Sequence, residues 1–183
     1  MAEALLRRRL KEAGVSAIVT STGFRFDGRP AEPGAIAALA KLGIDARPHR
    51  SSTATAERVA EADLVLTMEQ AHVRDLAVLP EVEFAKVFTF PDAVERAEQM
   101  GPRGQEPFEQ WVRRMGAGRA PSDLLASRPD LEVPDPMGGS KRAFRTSAAQ
   151  IDDLCRRFVA VAFAEPGPDD VTSFAHRPTP GSI

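Results

Sequence analysis

The chain has 183 residues, a formal net charge of −2 and 43% hydrophobic residues, an ordinary composition for a globular protein. Its apolar runs are too short to span a bilayer, its first residues lack the core of a signal peptide, and it has no long basic block. We therefore expect a cytoplasmic protein with no membrane or nucleic-acid partner. One cysteine, Cys155, and three scattered histidines predict no disulfide, no metal ion and no cofactor.

The first element is a helix over about residues 1–13, because Leu5, Leu6 and Leu10 recur at the spacing of one helical face. No Ser, Thr, Asp or Asn precedes this helix as an N-cap, so the sequence supplies no partner for its first N–H groups. In α/β proteins a helix end of this kind usually follows a strand and a loop, and it often binds an anion. The helix therefore resembles the second half of a unit whose first half is absent.

Strands and helices then alternate along the chain. Apolar or β-branched runs predict short strands at 15–21, 63–68 and 84–90. Periodicity, caps and breakers predict helices at 35–43, 56–62, 69–79, 92–100, 106–116 and 140–164. This alternation predicts an α/β fold, with a small parallel sheet and helices on both faces. We expect one domain over 1–164 and a disordered, Pro-rich tail over 165–183.

The segment VPDPMGGS, residues 133–140, is the most unusual polar stretch. Asp135 lies between Pro134 and Pro136, which restrict the backbone on both sides of it. Two glycines follow, and Ser140 can cap the last helix. Such an aspartate is either a solvated residue of a rigid loop or a general acid held over a cleft.

Five segments in order resemble the low-molecular-weight protein tyrosine phosphatase family, including its bacterial members, over about residues 1–163. They are MAEALLRR at the start, STG after the first predicted strand, GIDARPHRSS, EADLVLTMEQAH, and PDPMGGS before the last helix. In that family a central first strand leads into a phosphate-binding loop of Cys, five residues and Arg, and a Ser-Pro-x-Ala-Glu segment then opens the first helix. Met1, Ala2 and Glu3 match the end of that segment. The resemblance thus implies the family fold with its first, central strand and its phosphate loop missing from this chain.

The resemblance also implies a reaction, the hydrolysis of a phosphomonoester through a phosphocysteine. Asp135 matches the family's general acid, His49 matches a histidine that supports the phosphate loop, and Met137 stands where the family usually has an aromatic cleft wall. The nucleophile has no counterpart, because Cys155 is followed six positions later by Val161 and not by Arg. The chain has no tyrosine, so Phe24, Phe26 or Trp111 are the candidates for an aromatic wall.

Three interpretations remain open. The chain is a family phosphatase whose sequence starts after the loop, a pseudophosphatase that binds without hydrolysis, or a protein similar to the arsenate reductases of the same fold. The third needs a relay of several cysteines and is disfavoured. The expected partner is a phosphorylated protein or a small phosphomonoester, with phosphotyrosine and phosphoarginine both possible. An unpaired strand edge predicts self-association.

Overall fold

The sheet is formed by two parallel strands in residues 1–164, the part of the chain that the computed structural model describes. Strand β1 (Val65–Thr67) pairs with β2 (Val87–Thr89), with Leu66 opposite Phe88. The helices are α1 (Ala2–Glu12), α2 (Pro33–Ala40), α3 (Ala56–Glu61), α4 (Gln70–Ala77), α5 (Phe90–Met100), α6 (Phe108–Gly116) and α7 (Lys141–Ala162). The predicted α/β class with a small parallel sheet is confirmed. The tail predicted over 165–183 lies outside the described residues.

Both faces of the sheet are covered, because its alternate residues belong to two different apolar clusters. Val65 and Val87 pack with Val73 of α4 in one cluster. Phe88 belongs to the larger cluster, which draws buried side chains from α1, α5, α6 and α7, including Leu5. Helices on both faces, as predicted, therefore bury a sheet that is narrow in itself.

The predicted helices are all present, and their capping residues explain where several of them begin. The hydroxyl of Thr55 accepts a hydrogen bond from the backbone N of Arg58 at the start of α3, and Ser140 does the same for Ala143 at the start of α7. Helix α1 begins after Met1 without a side-chain cap, as the sequence predicted.

The strand predicted over 15–21 is wrong, because these residues belong to no strand. Val15 N donates to the Leu10 carbonyl at 2.9 Å, and the Val19 carbonyl accepts a hydrogen bond from Arg7 at 2.9 Å, so the segment is tied to α1. Ile18 is 96% exposed. β-Branched residues form a strand only where a neighbour completes the ladder, and no strand pairs with this segment within residues 1–164.

The other two strands are shorter than predicted, with β1 covering 65–67 of 63–68 and β2 covering 87–89 of 84–90. A 3₁₀ turn, Phe84–Lys86, replaces the start of the second run. The end of the predicted run, Phe90, is the start of α5. The Thr89 hydroxyl accepts a hydrogen bond from Asp92 N and acts as the N-cap of this helix. Within residues 1–164, β1 has a partner strand on one side only.

Helix α7, the longest helix, fixes α1 through ion pairs. Arg8 Nη2 lies 2.7 Å from Asp152 Oδ1, and Arg9 Nη2 lies 2.5 Å from Asp152 Oδ2. Burial acts to raise the pKa of Asp152, but the hydrogen bonds from Arg9 and Arg8 outweigh it, and the pKa lies below its ordinary value. α7 also carries Ile151 and Phe158, which are buried in the larger apolar cluster. Neither α7 nor any other helix in residues 1–164 has the length and apolarity needed to cross a membrane.

The segment after α6 covers the outer edge of β2. Arg119 donates to the Val87 carbonyl at 2.8 Å, and its guanidinium stacks on Phe88, 4.1 Å from the ring centroid. Burial lowers the pKa of Arg119 to about 10. Gly116 lies against the residues that precede β2. A Cβ at this position would come within 1.9 Å of the Ala85 carbonyl oxygen. The segment after α6 therefore covers the start of β2.

Candidate active site

The carboxyl end of β1 is where the loop that carries Asp135 leaves the fold. Val133 is buried and donates its backbone N–H to the Met68 carbonyl, one residue beyond β1, at 2.9 Å. Open α/β sheets bind their ligands at the carboxyl ends of parallel strands. The loop over 134–140 thus projects from the edge of the sheet at which a ligand site is expected.

Side-chain hydrogen bonds fix the base of this loop. The Glu132 carboxylate accepts from Gln70 N at 2.9 Å at the start of α4, and the Gln70 side-chain oxygen accepts from Arg128 N at 3.0 Å. On the other side, Ser147 of α7 donates to the Pro134 carbonyl at 3.2 Å. The loop is therefore anchored both to the β1–α4 turn and to α7.

Asp135 itself is exposed at the tip of this anchored loop. Its Oδ1 accepts a hydrogen bond from Met137 N at 2.9 Å, which is an Asx turn. Gly138 has a φ of +74°, which favours glycine at the bend that returns the chain to α7. No donor to Asp135 Oδ2 is found within residues 1–164, so this carboxylate oxygen is free to accept a hydrogen bond from a ligand.

A second polar cluster surrounds Glu3 in the first turn of α1. Its carboxylate lies 2.7 Å from Arg7 Nη1, accepts a hydrogen bond from the Ser21 hydroxyl, and lies 3.8 Å from His49 Nδ1. The Ser52 hydroxyl donates to the Ser21 carbonyl at 3.0 Å. These side chains line a cavity of about 440 Å³. A carboxylate in this turn is favourable because the amino end of a helix is its positive pole.

Met1 connects the two parts of the site. Its side chain packs with Ala35 and Ala38 of α2 and with Phe144 of α7, four residues beyond the Ser140 cap. The amino end of α1, the start of α7 and the loop before α7 therefore lie at one end of the molecule. The structure shows no direct contact between Asp135 and His49, so it does not bring these two predicted residues together.

The candidates for an aromatic wall differ in their exposure to solvent. Trp111 is fully buried in the main core, which excludes it as a cleft wall. Phe24 and Phe26 are 47% and 45% exposed, and Phe24 stacks on His72 of α4 with ring centroids 4.9 Å apart. Met137 is 58% exposed. The stacked pair is a feature that the sequence did not reveal, because its residues are far apart in the chain.

Cys155 is not placed to act as a nucleophile. It is fully buried in the core on α7, and burial raises the pKa of its thiol to about 12. A nucleophilic cysteine needs a thiolate near neutral pH, together with donors for the phosphate oxygens. Cys155 is instead a small packing residue.

Comparison with solved structures identifies the fold. The chain is similar to a low molecular weight protein tyrosine phosphatase from T. tengcongensis, with 24% identity, a TM-score of 0.63 and 86% of each chain covered. It is also similar to the YwlE arginine phosphatase from Geobacillus stearothermophilus, with 27% identity, a TM-score of 0.58, and 85% and 79% of the two chains covered. The sheet and helices are thus those of this class of phosphatase.

Sequence comparison then gives the family. The profile of the low molecular weight phosphotyrosine protein phosphatases matches residues 1–111. A probable low molecular weight protein-tyrosine-phosphatase, EpsP, from Ralstonia nicotianae is 31% identical over an alignment of 131 positions that covers 63% of this chain and 88% of that protein. The chain belongs to the low molecular weight phosphotyrosine protein phosphatase family.

Proposed function

We propose that residues 1–164 provide the frame and the general acid for phosphomonoester hydrolysis through a phosphocysteine, with Asp135 as the acid. The observation that carries this proposal is the loop of Asp135, which is anchored at both ends at the carboxyl edge of β1 and leaves one carboxylate oxygen exposed. In this reaction Asp135 protonates the leaving oxygen and then takes a proton from the attacking water. His49, beside Glu3, orients the phosphate-binding loop, and Met137 forms a wall of the cleft.

The substrate in this proposal is a phosphorylated side chain or a small phosphomonoester. Both a protein tyrosine phosphatase and an arginine phosphatase are among the similar structures, and the fold alone does not choose between their substrates. Phe24 and Met137, both exposed, are side chains that can pack against the body of a substrate.

We expect the chain of residues 1–183 to show no hydrolysis of p-nitrophenyl phosphate above the buffer rate between about pH 5 and 7, the range of most acid–base pairs of this kind. The reason is that it contains no Cys-x5-Arg sequence, and this loop supplies both the nucleophile and the charge stabilisation. The measurement is a steady-state assay of p-nitrophenol release.

The matched control is the same chain with a strand and Cys-x5-Arg loop from a family relative joined ahead of Met1, which should gain turnover. Activity of residues 1–183 that survives Cys155→Ser and disappears in Asp135→Asn would contradict the proposal that a Cys-x5-Arg loop must supply the nucleophile. If the chain with the added strand and Cys-x5-Arg loop folds but stays inactive, the proposal that residues 1–164 supply the frame and the general acid is contradicted.

The second candidate function is that of a pseudophosphatase, which binds a phosphorylated ligand without hydrolysing it. Two departures from the family pattern favour it: Met137, which is exposed, stands where the resemblance places an aromatic wall, and Ser51 and Ser52 stand where the family usually has Ser-Arg or Ala-Arg. Titration calorimetry of residues 1–183 with a phosphotyrosine peptide separates the two candidates. Binding that leaves the peptide phosphorylated, combined with inactivity of the joined chain, supports the pseudophosphatase.

We also propose that residues 1–164 form one domain, because the two apolar clusters lie on opposite faces of the same two strands. The edge of β1 that no strand pairs with in the described part of the chain, together with the exposed segment 15–21, is then a surface for association with a second copy. Ile18, at 96% exposure, is the largest apolar contribution of that segment.

Ile18→Lys should therefore weaken self-association by about tenfold or more, because it puts a charge in place of the exposed apolar side chain of the proposed contact. Sedimentation velocity over a range of protein concentrations measures this. Val78→Lys is the matched control, since Val78 is also exposed, at 79%, but lies at the end of α4. An equal loss in both variants would show that charge alone, and not the segment 15–21, governs association.

A further inference from the structure

The first turns of α7 carry an unusual charge distribution. Lys141, Arg142 and Arg145 all lie there, and the first turn contains no acidic residue. The amino end of a helix is its positive pole, so cations at this end are unfavourable unless an anion lies nearby. Cations at the amino end of a helix that no anion of the fold offsets are typical of functional surfaces.

One of these residues, Arg145, lines a groove of about 360 Å³ between α1, α2 and α7. This volume falls within the range of small ligand sites, about 300–1,000 Å³. Ala38 and Ala148 are buried and contribute small apolar side chains to its floor, and half-exposed Leu42 lies at its rim. Beside the groove, Arg8 donates to the Leu42 carbonyl at 2.9 Å and so ties α1 to the residues that follow α2. The groove thus has an apolar floor with charged walls.

The charges on the walls are not balanced. The two carboxylates of the groove are already engaged, Asp152 by Arg9 at 2.5 Å and Asp153 by Arg156 at 2.6 Å. Lys41 and Arg145 also line the groove and are exposed, and neither makes a hydrogen bond or ion pair with any side chain that the structure describes. Two cations therefore remain to meet an anionic group that enters.

We propose that this groove is a docking site for an acidic peptide segment of a partner protein. Carboxylates of the segment pair with Lys41 and Arg145, and its small apolar residues contact the floor at Ala38 and Ala148. The groove and the cavity around Glu3 have no lining residue in common, and neither Lys41 nor Arg145 belongs to the candidate active site.

The test is fluorescence anisotropy of the full chain with a short labelled peptide that alternates Glu or Asp with Ala. We expect saturable binding that weakens as NaCl is raised, because the contacts are exposed ion pairs. The combined substitution Lys41→Glu and Arg145→Glu should weaken binding by about tenfold or more. Lys41→Gln with Arg145→Gln, which adds no new charge, should weaken it in the same direction.

The matched control is Arg25→Glu with Arg58→Glu, which makes the same change in net charge on exposed residues that do not line the groove. We expect this variant to bind within about twofold of the unchanged chain. The proposal is overturned if the unchanged chain does not bind the peptide, or if both charge-reversed variants lose binding equally. It is also overturned if a peptide with Gln and Asn in place of Glu and Asp binds as well, or if inorganic phosphate alone occupies the groove while the peptide does not.

Discussion

In a chain that carries a Cys-x5-Arg segment joined ahead of Met1, Asp135→Asn should lower kcat for a substrate with a poor leaving group by about 10²–10⁴. Asparagine has no acidic proton to give to the leaving oxygen. It keeps a carbonyl oxygen that can accept the hydrogen bond from Met137 N, so the loop should retain its shape. The comparison of kcat for phenyl phosphate and p-nitrophenyl phosphate measures the effect, which should be smaller for the better leaving group.

Asp130→Asn is the matched control, because Asp130 is an exposed aspartate of the preceding 3₁₀ turn and pairs with Arg128 at 2.7 Å. It should leave kcat for both substrates unchanged. A loss in Asp135→Asn that is equal for the two leaving groups would show that Asp135 only maintains the loop.

Trp111→Ala should lower the free energy of unfolding by about 3–5 kcal/mol, the usual cost of truncating a large buried aromatic residue. Trp111 is fully buried on α6 in the main core, and its ring lies near those of Phe158, at 5.9 Å, and Phe108, at 6.1 Å. Urea denaturation followed by far-UV circular dichroism measures the loss. Fluorescence does not serve here, since Trp111 is the only tryptophan.

Trp111→Phe is the matched control and should cost much less, about 1–2 kcal/mol. The reason is that Trp111 Nε1 is buried and finds no hydrogen-bond partner in the part of the chain that the structure describes, so its removal leaves no acceptor unsatisfied. If the phenylalanine variant is destabilised as much as the alanine variant, the indole N–H makes a bond that contributes to stability.

The sequence predicted the helices well because their signals are local. The leucines of α1 and the Thr55 and Ser140 caps each act within a few residues of the chain. The segment 15–21 has equally clear local signals, but a strand also needs a neighbour, which is a property of the whole sheet. Its apolar side chains therefore predicted a strand, whereas the structure leaves Ile18 exposed.

In the candidate site, too, the sequence predicted the local features but not the contacts between distant segments. The two prolines around Asp135 marked a rigid acidic loop, and the structure places that loop at the carboxyl edge of β1. The meeting of Glu3 with Ser21 and His49 could not be predicted from spacing, because the three residues come from separate segments that only the tertiary fold brings together. The role of these residues in catalysis stays a prediction.

Arg119 also determines how far this sheet can be extended. Its guanidinium occupies the Val87 carbonyl of β2, and Gly116 packs against Ala85 just before that strand. β1 has no strand on its other side within residues 1–164. An incoming strand would have to displace Arg119 to use the Val87 carbonyl, whereas at β1 it would displace no strand of residues 1–164. Covering a sheet edge is one way in which proteins oppose edge-to-edge aggregation, and here a single arginine contributes to it on one side of the sheet.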